Sequence, residues 1–220
     1  MQILILSCDN NQDLWEPWYI LTEKYWPDHP EIIYLTDTID NPYYRTIKKN
    51  YPLSSWSRRV RDAAEELEDD LVFIIPDDLF IYEKVDTNKL IEMSKIIDSD
   101  TGSLNLHHQF SPNETIINSD IQLRPKHAEY NCSVQCSIWW RDNLLKVFDV
   151  DLDPWKFETT VDDLGLNYYV YNHPYDFLTY RDQDYFMFGL WRGKWSNHCY
   201  NLFNREGIKI DFTRRGFCGK

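Results

Sequence analysis

Two successive aspartates, Asp77 and Asp78, follow the apolar run Leu71-Val-Phe-Ile-Ile75 and Pro76. Paired carboxylates at the carboxyl end of a buried strand concentrate negative charge where a hard divalent cation offsets it. Mg2+ or Mn2+ commonly takes one or two carboxylates and completes its shell with substrate phosphate oxygens. The plainer alternative is a solvated Asp-Asp turn. A second acidic turn, Cys8-Asp9, follows the first apolar run. Charge is also unevenly spread. Seven basic residues stand against two acidic ones from Trp191 to Lys220, a net +5, so the first 190 residues carry -18 of a chain whose total is -13. Such a block is either a solvated tail or a local anion site on an acidic protein.

The elements that must position these residues follow from patterning. Gln2 to Ser7 is a continuous apolar run suited to a central parallel strand. A helix is expected over 14–26, with Pro17 in its first turn and Pro27 ending it. A strand over 31–36 and a polar, Tyr-rich loop over 37–52 come next. Ser54 or Ser55 caps a helix running to about Asp70, with Trp56, Val60, Ala63, Ala64 and Leu67 on one stripe. A strand over 71–75, a helix over 87–97 and a strand over 102–106 complete a βαβαβαβ order, which implies a mainly parallel sheet covered on both faces. Strands over 115–124 and 129–139 read as antiparallel. In the latter Asn131, Ser133, Gln135 and Ser137 share one face, which could line a polar cleft. Helices over 141–148 and 154–164, a strand over 166–171, a Ser196-capped helix closed by Gly207 and a strand over 208–212 follow. With no repeat or linker, the expectation is one domain over 1–220, built from halves 1–110 and 111–220.

Composition narrows the function classes. Aromatic residues are 16% of the 220, so the chain has ample surface to bury and is not disordered. The acidity argues against a general nucleic-acid binder. No apolar run approaches the ~20 residues of a membrane span, and the first residues read as a strand, not a signal peptide. Five cysteines without a framework favour reduced thiols in a cytosolic compartment. Cys132 and Cys136 lack a metal-clamp spacing, and His107-His108 would face opposite ways in a strand. No Gly-rich phosphate loop and no Gly-x-Ser-x-Gly element is present.

Several segments together resemble GT-A-type nucleotide-sugar glycosyltransferases of bacterial surface-polysaccharide gene clusters. They are Ile3-Leu-Ile-Leu-Ser-Cys-Asp9, Leu14-Trp-Glu-Pro-Trp18, Tyr25-Trp-Pro-Asp28, Trp56-Ser-Arg58, Pro76-Asp-Asp-Leu-Phe80, Ser133-Val-Gln-Cys-Ser-Ile-Trp139, Pro154-Trp-Lys-Phe-Glu158 and Arg192-Gly-Lys-Trp195. The resemblance runs through the whole chain in order. It implies an α/β fold of GT-A type, with a mainly parallel, Rossmann-type nucleotide half continuous with a mixed-sheet acceptor half.

It also implies roles. Cys8 and Asp9 would lie against the donor nucleoside. Asp77 and Asp78 would stand where an Asp-x-Asp element holds a divalent cation and the donor diphosphate. The pattern departs here, since Leu79 lies two beyond Asp77 and Pro76 two before Asp78, so metal dependence stays open. Arg192, Lys194 and Arg58 are the candidate cations for the diphosphate. Glu158 would be the general base of an inverting transfer, the alternative being a first-turn Glu favoured by the helix dipole. Gln135, Trp155 and Phe157 would meet the acceptor. The implied partners are a nucleotide-diphosphate sugar and a surface glycan or its lipid-linked precursor, handled in the cytoplasm or at the inner face of the membrane. A non-catalytic domain of the same fold, binding nucleotide or glycan to position a partner enzyme, is the alternative.

Overall fold

In the computed structural model, which describes residues 1–106, 114–171 and 189–218, the opening apolar run forms β1 (Gln2–Leu6), buried throughout. A strand buried on both faces needs a layer on each side, and its alternation supplies them. Ile3 and Ile5 join one core and Leu4 and Leu6 the other. Helix α1 (Gln12–Tyr25) covers the first face through Leu14, Trp15, Trp18 and Leu21. β2 (Ile32–Thr36) follows, then β3 (Arg45–Lys48). α2 (Trp56–Ala64) covers the second face through Val60, Ala63 and Ala64. β4 (Leu71–Pro76), α3 (Thr87–Ser94) and β5 (Thr101–Asn105) complete the first half.

The second half holds β6 (Thr115–Ile116), β7 (Ile121–Leu123), β8 (Ser137–Trp140), α4 (Arg141–Val147), α5 (Pro154–Thr160) and β9 (Asn167–Tyr171). A short hairpin, β10 (Leu190–Trp191) and β11 (Lys194–Trp195), leads into α6 (Asn197–Glu206). Ser196 Oγ caps α6 by accepting from the Cys199 N–H, and Gly207 ends it at φ 70°, a left-handed conformation that suits glycine.

Among the described residues one sheet of nine strands runs in the order β3-β2-β1-β4-β8-β5-β9-β7-β6. The first four are mutually parallel. β8 lies antiparallel between β4 and β5, β9 is parallel to β5, and β7 and β6 continue antiparallel. The expected architecture is therefore present: a parallel, Rossmann-type half continuous with a mixed half, with helices on both faces. The chain moves outward from β1 to β3 and then returns to β4 on the other side of β1. That reversal opens a crevice beyond the carboxyl ends of β1 and β4, where α/β sheets take ligands.

Several expectations differ from what is observed. The Tyr-rich segment contains β3, an edge strand whose one buried residue is Ile47 and whose remaining residues are polar, as edges require. Residues 129–136 are turns and not strand, because Tyr130 and Cys136 hold φ of 62° and 40°, outside the extended region. α1 begins at Gln12, so Pro17 lies beyond its first turn, inside the helix. α2 ends at Ala64 and α5 at Thr160, both earlier than patterning implied. Residues 208–212 form no strand. Asp211 instead caps a short 3-10 turn over Phe212–Arg214. His107-His108 lie outside the described residues.

Candidate functional site

The crevice is a cleft of about 610 Å³. Its floor is made by the ends of β1 and β4, and two indoles of α1 hold those ends. Trp15 Nε1 donates to Ser7 Oγ at 2.8 Å, and Trp18 Nε1 donates to the Leu79 carbonyl at 3.0 Å. Ser7 Oγ in turn donates to Asp77 Oδ2 at 2.5 Å, and Asn11 Nδ2 donates to Asp77 Oδ1 at 3.1 Å. Asp77 is buried, whereas Asp78 is half-buried; both line the cleft. Burial, then the Asp78 charge, pushes the Asp77 carboxyl up to about 8, against the opposing pull of Ser7, Asn11 and Arg215. Burial raises Asp78 to about 6, with Arg215 opposing. The adjacent aspartates thus have unlike surroundings: Asp77 has a hydrogen bond on each oxygen, and Asp78 is the more open.

Cys8 lines the same cleft, its thiol raised by burial and then by Asp77, so it is not an activated nucleophile. Asp9 does not line it. Asp9 Oδ1 accepts the backbone N–H of Asp37 and Thr38 at 3.1 Å each and of Ile39 at 3.3 Å, and Oδ2 accepts the Thr38 hydroxyl at 2.6 Å. Partial burial alone would raise this carboxyl. The hydrogen bonds outweigh it and hold the group below the ordinary range. Asp9 therefore staples the turn after β1 to the turn after β2, and of the two residues expected at the donor nucleoside only Cys8 lines the cleft.

Arg58 is likewise elsewhere. It pairs with Asp149 at 2.7 Å and Asp151 at 3.3 Å on the surface. The cation of α2 that lines the cleft is its neighbour, Arg59. The buried Arg59 guanidinium donates to the Lys49 and Ser7 carbonyls at 2.8 Å each and pairs with Asp37 at 3.1 Å. The helical repeat carries the signal for it: Arg59 is one turn before Ala63 on the inward stripe, and Arg58 is rotated off it. Arg192 and Lys194 sit at the exposed tip of the β10–β11 hairpin and do not line the cleft. Arg192 lies 6.0 Å from the Trp191 ring centroid. The basic segment instead approaches through Arg215, whose charge acts on both Asp77 and Asp78.

The same cleft is lined by Val134, Gln135, Pro154, Trp155 and Glu158. α5 presents the last two because Asp153 caps it, accepting the Lys156 N–H at 2.9 Å, and Pro154 occupies its first turn. Ser57 docks the start of α2 on the segment leading into α5, donating to the Val150 carbonyl at 2.6 Å and accepting the Leu152 N–H at 3.0 Å. Glu158 Oε1 accepts from Ser133 Oγ at 3.0 Å and from the Val134 N–H at 3.1 Å. Trp155 is 69% exposed. Phe157 is fully buried, packed on Trp56 and Phe148 at ring separations of 5.8 and 4.1 Å, so it cannot meet an acceptor.

Among the described residues one group has metal-ligand proximity by distance alone, His127, Asp162 and Asp163. There Asp163 already accepts from the His127 N–H, the Asn131 amide and the Gly165 N–H. No helix among the described residues is long and apolar enough to cross a membrane.

No protein-family model matches the chain, and no curated protein does. Solved structures show likeness at low identity. The galactosyltransferase LgtC in complex with donor and acceptor sugar analogs is 12% identical over 66% of this chain and 60% of its own, with a TM-score of 0.42. S. aureus TarS is 12% identical over 77% of this chain and 34% of its own, at 0.44. The bifunctional IspDF from Campylobacter jejuni is 16% identical over 74% of this chain and 45% of its own, at 0.41. The chain spans about three-fifths of the length of LgtC. Likeness at this level assigns no residue a role; the cleft's own chemistry must do so.

Proposed function

We propose that the protein transfers a sugar from a nucleoside-diphosphate donor to an acceptor hydroxyl, with inversion, and that Glu158 is the general base. The observation that carries this reading is one cleft lined both by the Asp77-Asp78 pair and by Glu158 with Trp155 and Gln135. Donor diphosphate and acceptor need these two kinds of surface side by side.

The nucleoside diphosphate lies beyond the ends of β1 and β4, where Arg59 is a buried cation. A divalent cation, Mn2+ or Mg2+, fits the donor set. The groups are hard carboxylate oxygens, and the repulsion between them is what a cation relieves. Asp78 would hold it, backed by Asp77, and when bound it would supply positive charge to the leaving diphosphate. Glu158, oriented through Oε1 by Ser133 and the Val134 N–H, removes the acceptor hydroxyl proton. The new bond to the anomeric carbon forms as the nucleoside diphosphate departs. The exposed Trp155 face suits stacking of an acceptor sugar. The resemblance in sequence supports a surface glycan or its lipid-linked precursor as acceptor, the latter reached at the inner face of the membrane.

Glu158→Gln tests the assignment. Transfer should fall by roughly 10² to 10⁴, while the thermal shift caused by the preferred nucleoside diphosphate is retained. Full transfer by this variant would sink the role of Glu158. Binding of UDP, GDP or CDP by the wild type, with neither hydrolysis nor transfer of any matching donor, would replace catalysis by a binding function.

A further inference from the structure

Arg214 and Arg215 reach across to the turn that follows β1 and to the first turn of α1. Arg215 donates through Nε and Nη2 to the Asp13 carboxylate at 2.7 and 2.5 Å. Nη2 also reaches the Asn10 carbonyl and the Asn11 side-chain oxygen, each at 3.0 Å. Arg214 adds a bond to the Asn10 carbonyl at 2.9 Å. The Arg215 guanidinium lies 5.9 Å from the ring centroid of Trp195, which is fully buried.

Asn11 is the hinge of the arrangement. Its oxygen accepts from Arg215 and its nitrogen donates to Asp77 Oδ1 at 3.1 Å. A side-chain amide has one accepting and one donating end, so only this orientation satisfies both neighbours. Arg215, Asn11 and Asp77 therefore form one chain of hydrogen bonds, and Ser7 and Trp15 brace Asp77 from its other oxygen. Asn10, Asn11, Asp77 and Asp78 all line the cleft. Arg215 itself lies behind that lining.

We infer that Arg215 is a positioning residue for the donor diphosphate, acting through the Asn11 amide to fix Asp77 and the Asn10-Asn11 wall of the cleft. The inference rests on the glycosyl-transfer reading of that cleft. Three roles for Arg215 separate cleanly. A positioning residue needs its forked guanidinium and needs Asn11. A bare counter-charge needs neither, so Arg215→Lys and Asn11→Ala would both be silent. A scaffold residue changes the melting temperature and leaves ligand affinity alone.

The test is calorimetric titration of UDP, GDP and CDP in the presence of Mn2+, with melting curves recorded beside it. The proteins are the wild type, Arg215→Lys, Asn11→Ala and the double variant. Each single change should weaken the preferred diphosphate about tenfold, the scale of one charge-assisted hydrogen bond. The double variant should be no weaker than the worse single, because both changes cut one chain. Wild-type affinity in both singles, additive losses, or losses matched by a fall in the binding-competent fraction would overturn the inference while the cleft's reading stands. A wild type that binds none of the three diphosphates removes the reading, and the inference with it.

Discussion

Adjacent residues of one type take different tasks here, and burial decides which. Asp77 is enclosed, bonded on both oxygens and raised to about 8, and Asp78 is more open and raised to about 6. Both stand above the unfolded carboxylate value, so the folded protein holds protons that the unfolded chain has released. Stability from this pair is complete below about pH 4 and is lost as pH rises through about 6 and then about 8. Melting temperature of metal-free protein should therefore fall between pH 5 and pH 8, by about 2–4 °C for each kcal/mol involved. Asp77→Asn should flatten that fall, and a melting series across pH measures it. A slope unchanged in the variant would mean that Asp77 is ionised in the fold at neutral pH. Arg59 and Arg58 repeat the contrast, one inside the cleft and one on the surface. The motif pointed to Arg58, although the 3.6-residue repeat of α2, which turns Arg59 inward, carried the signal for its neighbour. Arg215 was not legible, because its bond to Asn11 spans 204 residues and no local pattern announces it.

At the scale of elements, β1, β2, β4 and β9 were the most legible strands, being largely apolar or aromatic runs with strong local preference, whereas the polar edge strand β3 and the break between β6 and β7 were not. The segment 129–136 was not legible. Its alternation mimics a strand, yet left-handed residues fold it into turns that bring Ser133 and Val134 onto Glu158. α5 shows how one short helix divides its aromatic residues. Trp155 faces solvent at the cleft, and Phe157, two positions on, is sealed between Trp56 and Phe148. Phe157→Ala should cost about 3–5 kcal/mol, the range for an aromatic truncated in a core, and chemical denaturation would register it. Trp155→Ala should leave stability within about 0.5 kcal/mol and raise the KM for acceptor, with the donor KM unchanged. An equal rise in both constants would detach Trp155 from the acceptor side.

For the whole molecule, the formal charge of -13 and the anionic donor proposed above pull in opposite directions. Among the described residues two cations bear on the cleft locally: Arg59 in its lining, and Arg215 within electrostatic reach of the acidic pair. Their attraction is short-ranged, whereas repulsion from the rest of the surface extends as far as the Debye length permits. That length shrinks from about 30 Å at 0.01 M salt to about 10 Å at 0.1 M. Salt should thus remove the distant repulsion first and leave the local attraction in place. The association rate of a free nucleoside diphosphate without metal should rise several-fold across that interval, the reverse of the slowing seen when a basic surface steers an anion. Stopped-flow measurement of the rate against ionic strength decides between them. A rate that falls with salt would mean that the field at the cleft mouth is positive despite the charge of the whole.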